Sequence, residues 1–248
     1  MYQNSRNMKK LLKILICSAL SVFLLTYCTD DSYLVDGGKS NPVFPGTVWD
    51  FINSRPDLFD TLRYSIQIAG MESVFTDENI TFFAPPDISI LNTLNLLNDY
   101  LYRTGKDTIA DLKQIKPDVW REFLGLYIIP DRYLLKDIVQ IDTTMLSAYG
   151  GQAYLSYNGR PMNMGVIYHD VVSGDNRIKY AGYRQLLYSY IYDFTELDMQ
   201  NAYVATSDIQ TDNGVVHVLR YSDHFFGFSQ NQFLINVITA GIEDLINY

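Results

Sequence analysis

The chain has 248 residues, 48% hydrophobic and 19% charged, enough apolar material for the core of one domain or two small ones and too much for a chain disordered throughout. Nineteen Lys and Arg face 28 Asp and Glu, a net charge of −9, and the first 27 residues hold four of the bases and no acid; the acidic remainder has no basic stripe to match nucleic acid. The two cysteines, Cys17 and Cys28, leave residues 29–248 without a disulfide or a cysteine-ligated metal site.

Residues 1–27 read as a signal peptide. Met8-Lys9-Lys10-Leu11-Leu12-Lys13 is a basic start, and the apolar run over residues 14–25 falls short of the ~20 residues a bilayer span needs. The run closes on Leu25-Thr26-Tyr27-Cys28, which resembles a bacterial lipobox; that resemblance implies cleavage before Cys28 and acylation of its thiol, with Tyr27 departing from the usual small residue. The alternative is an ordinary signal peptide, and both readings export the protein. Thr29-Asp30-Asp31 resembles the acidic signal that sends Bacteroidetes lipoproteins to the cell surface, against the plainer reading of a solvated linker. Residues 28–46, with Gly37, Gly38, Pro42 and Pro45, read as a flexible tether. Gly37-Gly38-Lys39-Ser40 is not a phosphate loop, because Tyr33 stands where its first glycine belongs and no strand precedes it.

From Thr47 the pattern becomes globular. Thr47 is placed to cap a short helix carrying Trp49, Phe51 and Ile52. Pro56 opens a second, with Leu58, Phe59, Leu62, Ile66 and Ala69 at helical spacing, and Gly70 stops it. Residues 79–84 are β-rich and end at Pro85-Pro86-Asp87. A third helical stripe carries Ile90, Leu91, Leu94, Leu97 and Leu101, and Pro117 starts a fourth with Val119, Trp120, Phe123, Leu124 and Tyr127. Beyond Pro130, short Tyr- and Val-rich runs are punctuated by the hairpin signals Asn158-Gly159 and Gly174-Asp175-Asn176. A helix-rich N-terminal half followed by a strand-rich C-terminal half is an α+β pattern, not a βαβ alternation. Asn213-Gly214 is expected to form a turn needing positive φ, followed by a strand with Val215, His217 and Leu219 on one face and Val216, Val218 and Arg220 on the other. The apolar tail, residues 229–248, either docks on the domain as a terminal helix or serves a partner; Asn236 and Thr239 and its length argue against a membrane span.

Two of these stretches carry a resemblance to the fasciclin (FAS1) family. Thr81-Phe82-Phe83-Ala84-Pro85-Pro86-Asp87 is similar to its first block, and Asn213-Gly214-Val215-Val216-His217-Val218-Leu219 to its second. The resemblance implies a fasciclin-like α+β domain over residues 47–228 with insertions between the blocks. It makes Phe83, Ala84, Pro85, Asn213, Gly214 and His217 structural signature residues. Tyr127-Ile128 departs from the Tyr-His of many members, so integrin-type adhesion is not carried over. Leu219-Arg220 replaces a common Ile-Asp, which puts the end of that strand in question.

No nucleophile elbow, zinc-binding helix, dinucleotide turn or EF-hand loop is present; neither a catalytic residue, a metal site nor a cofactor is expected. His217 reads as a satisfied core histidine in preference to a ligand or base, and His224 as a surface residue. Nine tyrosines fall between positions 149 and 192. Tyr154, Tyr157, Tyr188, Tyr190 and Tyr192 form the candidate partner patch, although Tyr188, Tyr190 and Tyr192, at period two, could equally cover one face of a strand. Taken together, the resemblances imply an outer-membrane surface lipoprotein, held by its lipid anchor, that acts as a non-catalytic binding or assembly module. Such a module would be accessory to a SusC/SusD-type uptake system, with a TonB-dependent transporter complex or a glycan or peptide ligand as partner. The alternative is an adhesin that binds matrix or neighbouring cells.

Overall fold

Thr47 ends the incoming chain and starts the first helix. Its hydroxyl accepts the N–H of Asp50 at 3.1 Å, and the Asp50 carboxylate accepts the N–H of Thr47 at 2.8 Å, a reciprocal cap that satisfies two donors the helix cannot use itself. The computed structural model describes residues 41–222 and 224–244. The chain divides into the units Met1–Asn41 and Pro42–Tyr248, and the fold belongs to the second. The expected signal peptide, Cys28, Thr29, Asp30, Asp31 and most of the expected tether lie outside the described residues.

Helix α1 (Val48–Ser54) is followed by α2 (Pro56–Ala69), which has proline at its first position and ends at Gly70 in the left-handed region, φ 63°. α2 breaks at Phe59 (φ −135°, ψ 20°). The Asp87 carboxylate accepts the N–H groups of Thr61 and Leu62 just past the break, at 3.0 and 2.9 Å, so the acid after the Pro-Pro pair caps the second part of α2. A short helix not expected from the sequence, α3 (Glu72–Asp77), precedes strand β1 (Ile80–Ala84). Helices α4 (Asp87–Arg103) and α5 (Pro117–Gly125) complete the N-terminal half; α5 stops before Tyr127.

The remaining strands are β2 (Ile128–Ile129), β3 (Gln140–Ile141), β4 (Gln152–Leu155), β5 (Pro161–Tyr168), β6 (Val171–Ser173), β7 (Asn176–Ile178), β8 (Arg184–Asp193), β9 (Asp198–Gln210) and β10 (Gly214–Leu219). They build one mixed sheet in the order β2-β1-β10-β9-β8-β5-β3, with β4 also on β5, while β6 and β7 form a separate hairpin. β1 is parallel to β10, with Phe83 opposite His217. The two signature blocks, far apart in the chain, are therefore neighbouring strands of the sheet, and every residue of β1 is buried.

Both faces of β10 are covered: Val215, Val216, His217 and Leu219 are buried and Val218 half-buried. Gly214 departs from expectation, since it does not adopt positive φ. Its requirement is close approach: a Cβ there would lie 2.5 Å from the Ile80 carbonyl oxygen and 2.8 Å from Val48 Cγ2. Helix α6 (Gln230–Ala240) settles the fate of the tail, because Phe233 and Val237 are buried and the Phe233 ring packs 5.0 Å from Phe123 and 5.5 Å from Trp120. Burying a side chain of that size contributes about 1.5–3 kcal/mol, which holds the helix on the domain. The end of the expected tether also joins the domain. Phe44 N–H donates to Gln210 O at 2.8 Å, Gln210 N–H donates to Pro42 O at 2.7 Å, and the Phe44 ring meets Phe51 edge-on.

Candidate functional site

The signature residues hold the fold and are not among those lining the groove described below. Phe83 stacks on Tyr188 with centroids 3.8 Å apart and planes within 1°, while Ala84 and Pro85 are buried beside it. Asn213 accepts Val48 N–H at 2.8 Å and donates to the carbonyls of Phe75 and Glu78 at 3.1 and 2.9 Å, so one side chain joins α1, α3 and the start of β10. His217 sits where the register between β9 and β10 shifts. Its Nδ1 accepts the N–H of Asp208 at 3.1 Å, and its Nε2 donates to Tyr133 O at 3.0 Å. Those partners fix the neutral Nε2–H tautomer, and burial pulls the pKa down to about 4.

His224 is not on the surface. It is 3% exposed, and its Nε2 lies 2.8 Å from the Tyr127 hydroxyl, which in turn accepts Gly227 N–H at 2.7 Å. Among the described residues His224 Nε2 is the acceptor within reach of the buried hydroxyl, so the phenolic proton goes to it, leaving the imidazole neutral with its proton on Nδ1. Burial lowers the His224 pKa to about 3 and raises that of Tyr127 above its ordinary value. Neither histidine is poised for proton transfer near neutral pH. The partner of Tyr127 comes from a residue 97 positions further along the chain. The sequence gives no signal of it, since the pairing is made only in the folded chain.

A groove of about 1050 Å³ opens on one side of the domain, lined in part by Gly70, Arg121, Asn158, Tyr192 and Gln232. Its walls come from the end of α2, from α5, from the β4–β5 turn, from the outer end of β8 and from the approach to α6. Gly227 and Ser229 line the groove, and between them the buried Phe228 adopts φ 65° directly after Gly227 at φ 84°. A Cβ on Gly227 would fall 2.5 Å from a ring carbon of Phe123. The left-handed conformation of a residue as bulky as Phe228 costs on the order of 1–2 kcal/mol. It is held because its ring is wedged among Tyr127 (5.2 Å), Tyr188 (5.7 Å), Tyr190 (6.0 Å) and His224 (4.9 Å).

The groove divides the expected tyrosine patch. Tyr188, Tyr190 and Tyr192 do share one face of β8, but burial falls along it: Tyr188 is fully buried, Tyr190 half-buried and Tyr192 exposed. Tyr188 is thus a core residue, its hydroxyl donating to Leu126 O at 2.5 Å, and it leaves the patch. Tyr154 is half-buried on β4 with its ring 4.8 Å from Tyr133, and it is not a groove residue. Tyr157, Tyr190 and Tyr192 line the groove together. The Arg160 guanidinium covers the Tyr190 ring at 4.6 Å and donates to Ile191 O at 3.3 Å. Arg121 donates to Asp118 at 2.7 Å and to Ala69 O at 2.7 Å. Asn158 is held by donating to Glu122 O at 2.8 Å while its carbonyl accepts the Ser156 hydroxyl at 2.7 Å.

Among the described residues no group of three His, Cys, Asp or Glu is arranged to hold a metal ion, and no helix is long and apolar enough to cross a membrane. What the groove offers is exposed aromatic faces, fixed polar edges and balanced charge, the equipment of a binding site.

An α+β domain of helices on a curled mixed sheet is a FAS1-like fold, which suggests a binding or adhesion module. The chain belongs to the fasciclin family: the model for the fasciclin domain matches residues 57–221, and domains of that family are generally non-catalytic. Sixteen chains of solved structures match. One, a FAS1 domain pair from the insect cell adhesion molecule Fasciclin I, is similar at 15% identity with a TM-score of 0.44, over 71% of this chain and 50% of that one. This chain therefore spans about half the length of that chain. A search of curated proteins finds no match.

Proposed function

We propose that the protein is a lipid-anchored module of the outer-membrane surface that binds a glycan or peptide beside a SusC/SusD-type transporter. The observation that carries the binding role is the groove of about 1050 Å³ lined by Tyr157, Tyr190 and Tyr192. Anchoring and surface display rest on the basic start, the apolar run and Cys28 followed by Thr29-Asp30-Asp31. Affinity purification from native membranes tests the reading. Recovery of a TonB-dependent transporter with the protein supports it, and recovery of the protein alone from gently solubilised membranes contradicts the transporter assignment.

A second reading, an adhesin, is favoured by the β6–β7 hairpin, where the cross-strand partners Val171 and Ile178 are 39% and 60% exposed. Apolar side chains presented together on one face of a hairpin suit contact with another macromolecule. Cell aggregation that is lost on replacing both with Ser, and kept when the groove is altered, would favour the adhesin.

A further inference from the structure

We infer that the groove takes a neutral oligosaccharide, with the rings of Tyr157 and Tyr192 as the platforms for its sugar faces; this rests on reading the domain as a binding module. Four observations narrow the ligand. First, the aromatic faces are graded. Tyr190 is covered by the Arg160 guanidinium, whereas Tyr157 and Tyr192 are 42% and 45% exposed, and Tyr192 lies 4.9 Å from Tyr190 at 60° to it. A pyranose presents a flat face of C–H bonds that suits the electron-rich face of a tyrosine, and tyrosine loses little side-chain entropy in the contact.

Second, the charges of the lining are balanced and committed. Arg121 and Arg160 stand against Asp118 and Glu122. Arg121 already donates to Asp118 and Ala69 O, and Arg160 to Ile191 O while stacking on Tyr190. Two guanidinium groups against two carboxylates leave the lining without surplus positive charge to draw in a phosphate or uronate, so an uncharged ligand is favoured.

Third, the strand that reaches the groove gives no free edge. β8 is paired along one side with β5 and along the other with β9, so an extended peptide cannot add there as a further strand. The polar groups at the rim are short side chains held in place: Asn158 by Glu122 O and Ser156, and Ser229 by accepting Gln232 N–H at 3.3 Å. Fixed amides and hydroxyls match the hydroxyls of a sugar. Fourth, about 1050 Å³ lies at the upper end of small-ligand sites, roughly 300–1,000 Å³, which suits several linked rings better than one.

The test is calorimetric titration of the full-length processed protein with neutral hexasaccharides (gluco-, manno-, galacto- and xylo-series), with hexagalacturonate, and with a pool of hexapeptides. We expect a neutral saccharide to bind with an affinity that hardly changes as salt is raised. Tyr192→Ala and Tyr157→Ala should each weaken it at least tenfold, and Tyr192→Phe, which keeps the ring, should recover most of that loss. Circular dichroism of each variant checks that the fold is kept. Tighter binding of hexagalacturonate, or a steep loss with salt, overturns the neutral assignment. Peptide binding that Tyr192→Ala abolishes overturns the saccharide and leaves the binding role standing. Binding of neither saccharides nor peptides removes the saccharide and the groove's role together.

Discussion

Tyr127 and His224, 97 positions apart, share a 2.8 Å hydrogen bond inside the core. The same phenolic oxygen accepts Gly227 N–H at 2.7 Å, so one hydroxyl satisfies a backbone donor and an imidazole acceptor that water does not reach. It also fixes Gly227, which lines the groove. Tyr127→Phe removes the oxygen and leaves both groups buried without it. Chemical denaturation should show a loss of about 1–3 kcal/mol, larger than for removal of the exposed Tyr102 side chain.

Stability should fall between neutral and mildly acid pH. In the native state burial holds His217 at about 4 and His224 at about 3, whereas an unfolded histidine titrates near 6.5. Below pH 6.5 the unfolded chain binds protons that the folded chain refuses. The stabilisation is therefore complete above about pH 6.5, is lost as pH falls, and levels off only below the folded values. Each histidine should withdraw on the order of 1 kcal/mol per pH unit within that window. Urea titrations at pH 7, 6 and 5 read the slope. His224→Gln should flatten it, and an unchanged slope would mean that His224 is not held neutral.

The Asn213-Gly214 pair makes a steric and a polar prediction. Gly214→Ala sets a methyl against the Ile80 carbonyl 2.5 Å away and should cost roughly 1–3 kcal/mol as β1 and β10 are pushed apart. Asn213→Asp turns a donor that serves the Phe75 and Glu78 carbonyls into an acceptor facing two acceptors. The change of a single amide should cost on the order of 2 kcal/mol or more, measured by thermal unfolding at pH 7, where the new carboxyl is ionised.

What was legible in the sequence was local. Thr47, Pro56 and Gly70 bound the first two helices because caps, proline φ and left-handed glycine act over a few residues, and Asn158-Gly159 marks the β4–β5 turn for the same reason. The parallel pairing of β1 with β10 could be reached only through the family resemblance, since no periodicity encodes it. The groove was half visible. Period two placed Tyr188, Tyr190 and Tyr192 on one face, but which end of that face is buried depends on Phe83 and Phe228, brought there from distant parts of the chain. The local pattern around His224 reads as surface for the same reason, and Asp87 carries no local sign that it caps a helix 25 residues earlier.

Cys28→Ala separates the anchor from the domain. With lipidation at Cys28 as proposed, the substitution should release the protein from membranes or leave an unprocessed precursor, while the purified domain keeps the unfolding transition of the parent. Membrane fractionation with N-terminal sequencing reads the outcome. Unchanged fractionation with normal processing would count against lipidation.

Photo-crosslinking in living cells shows directly which face of the domain meets its ligand. A benzophenone amino acid is placed in turn at Tyr192, at the groove, and at Ile178, on the β6–β7 hairpin. Irradiation followed by mass spectrometry should give a carbohydrate adduct from position 192 and none from position 178. Adducts that form at position 178 alone would place the contact on the hairpin and contradict the account.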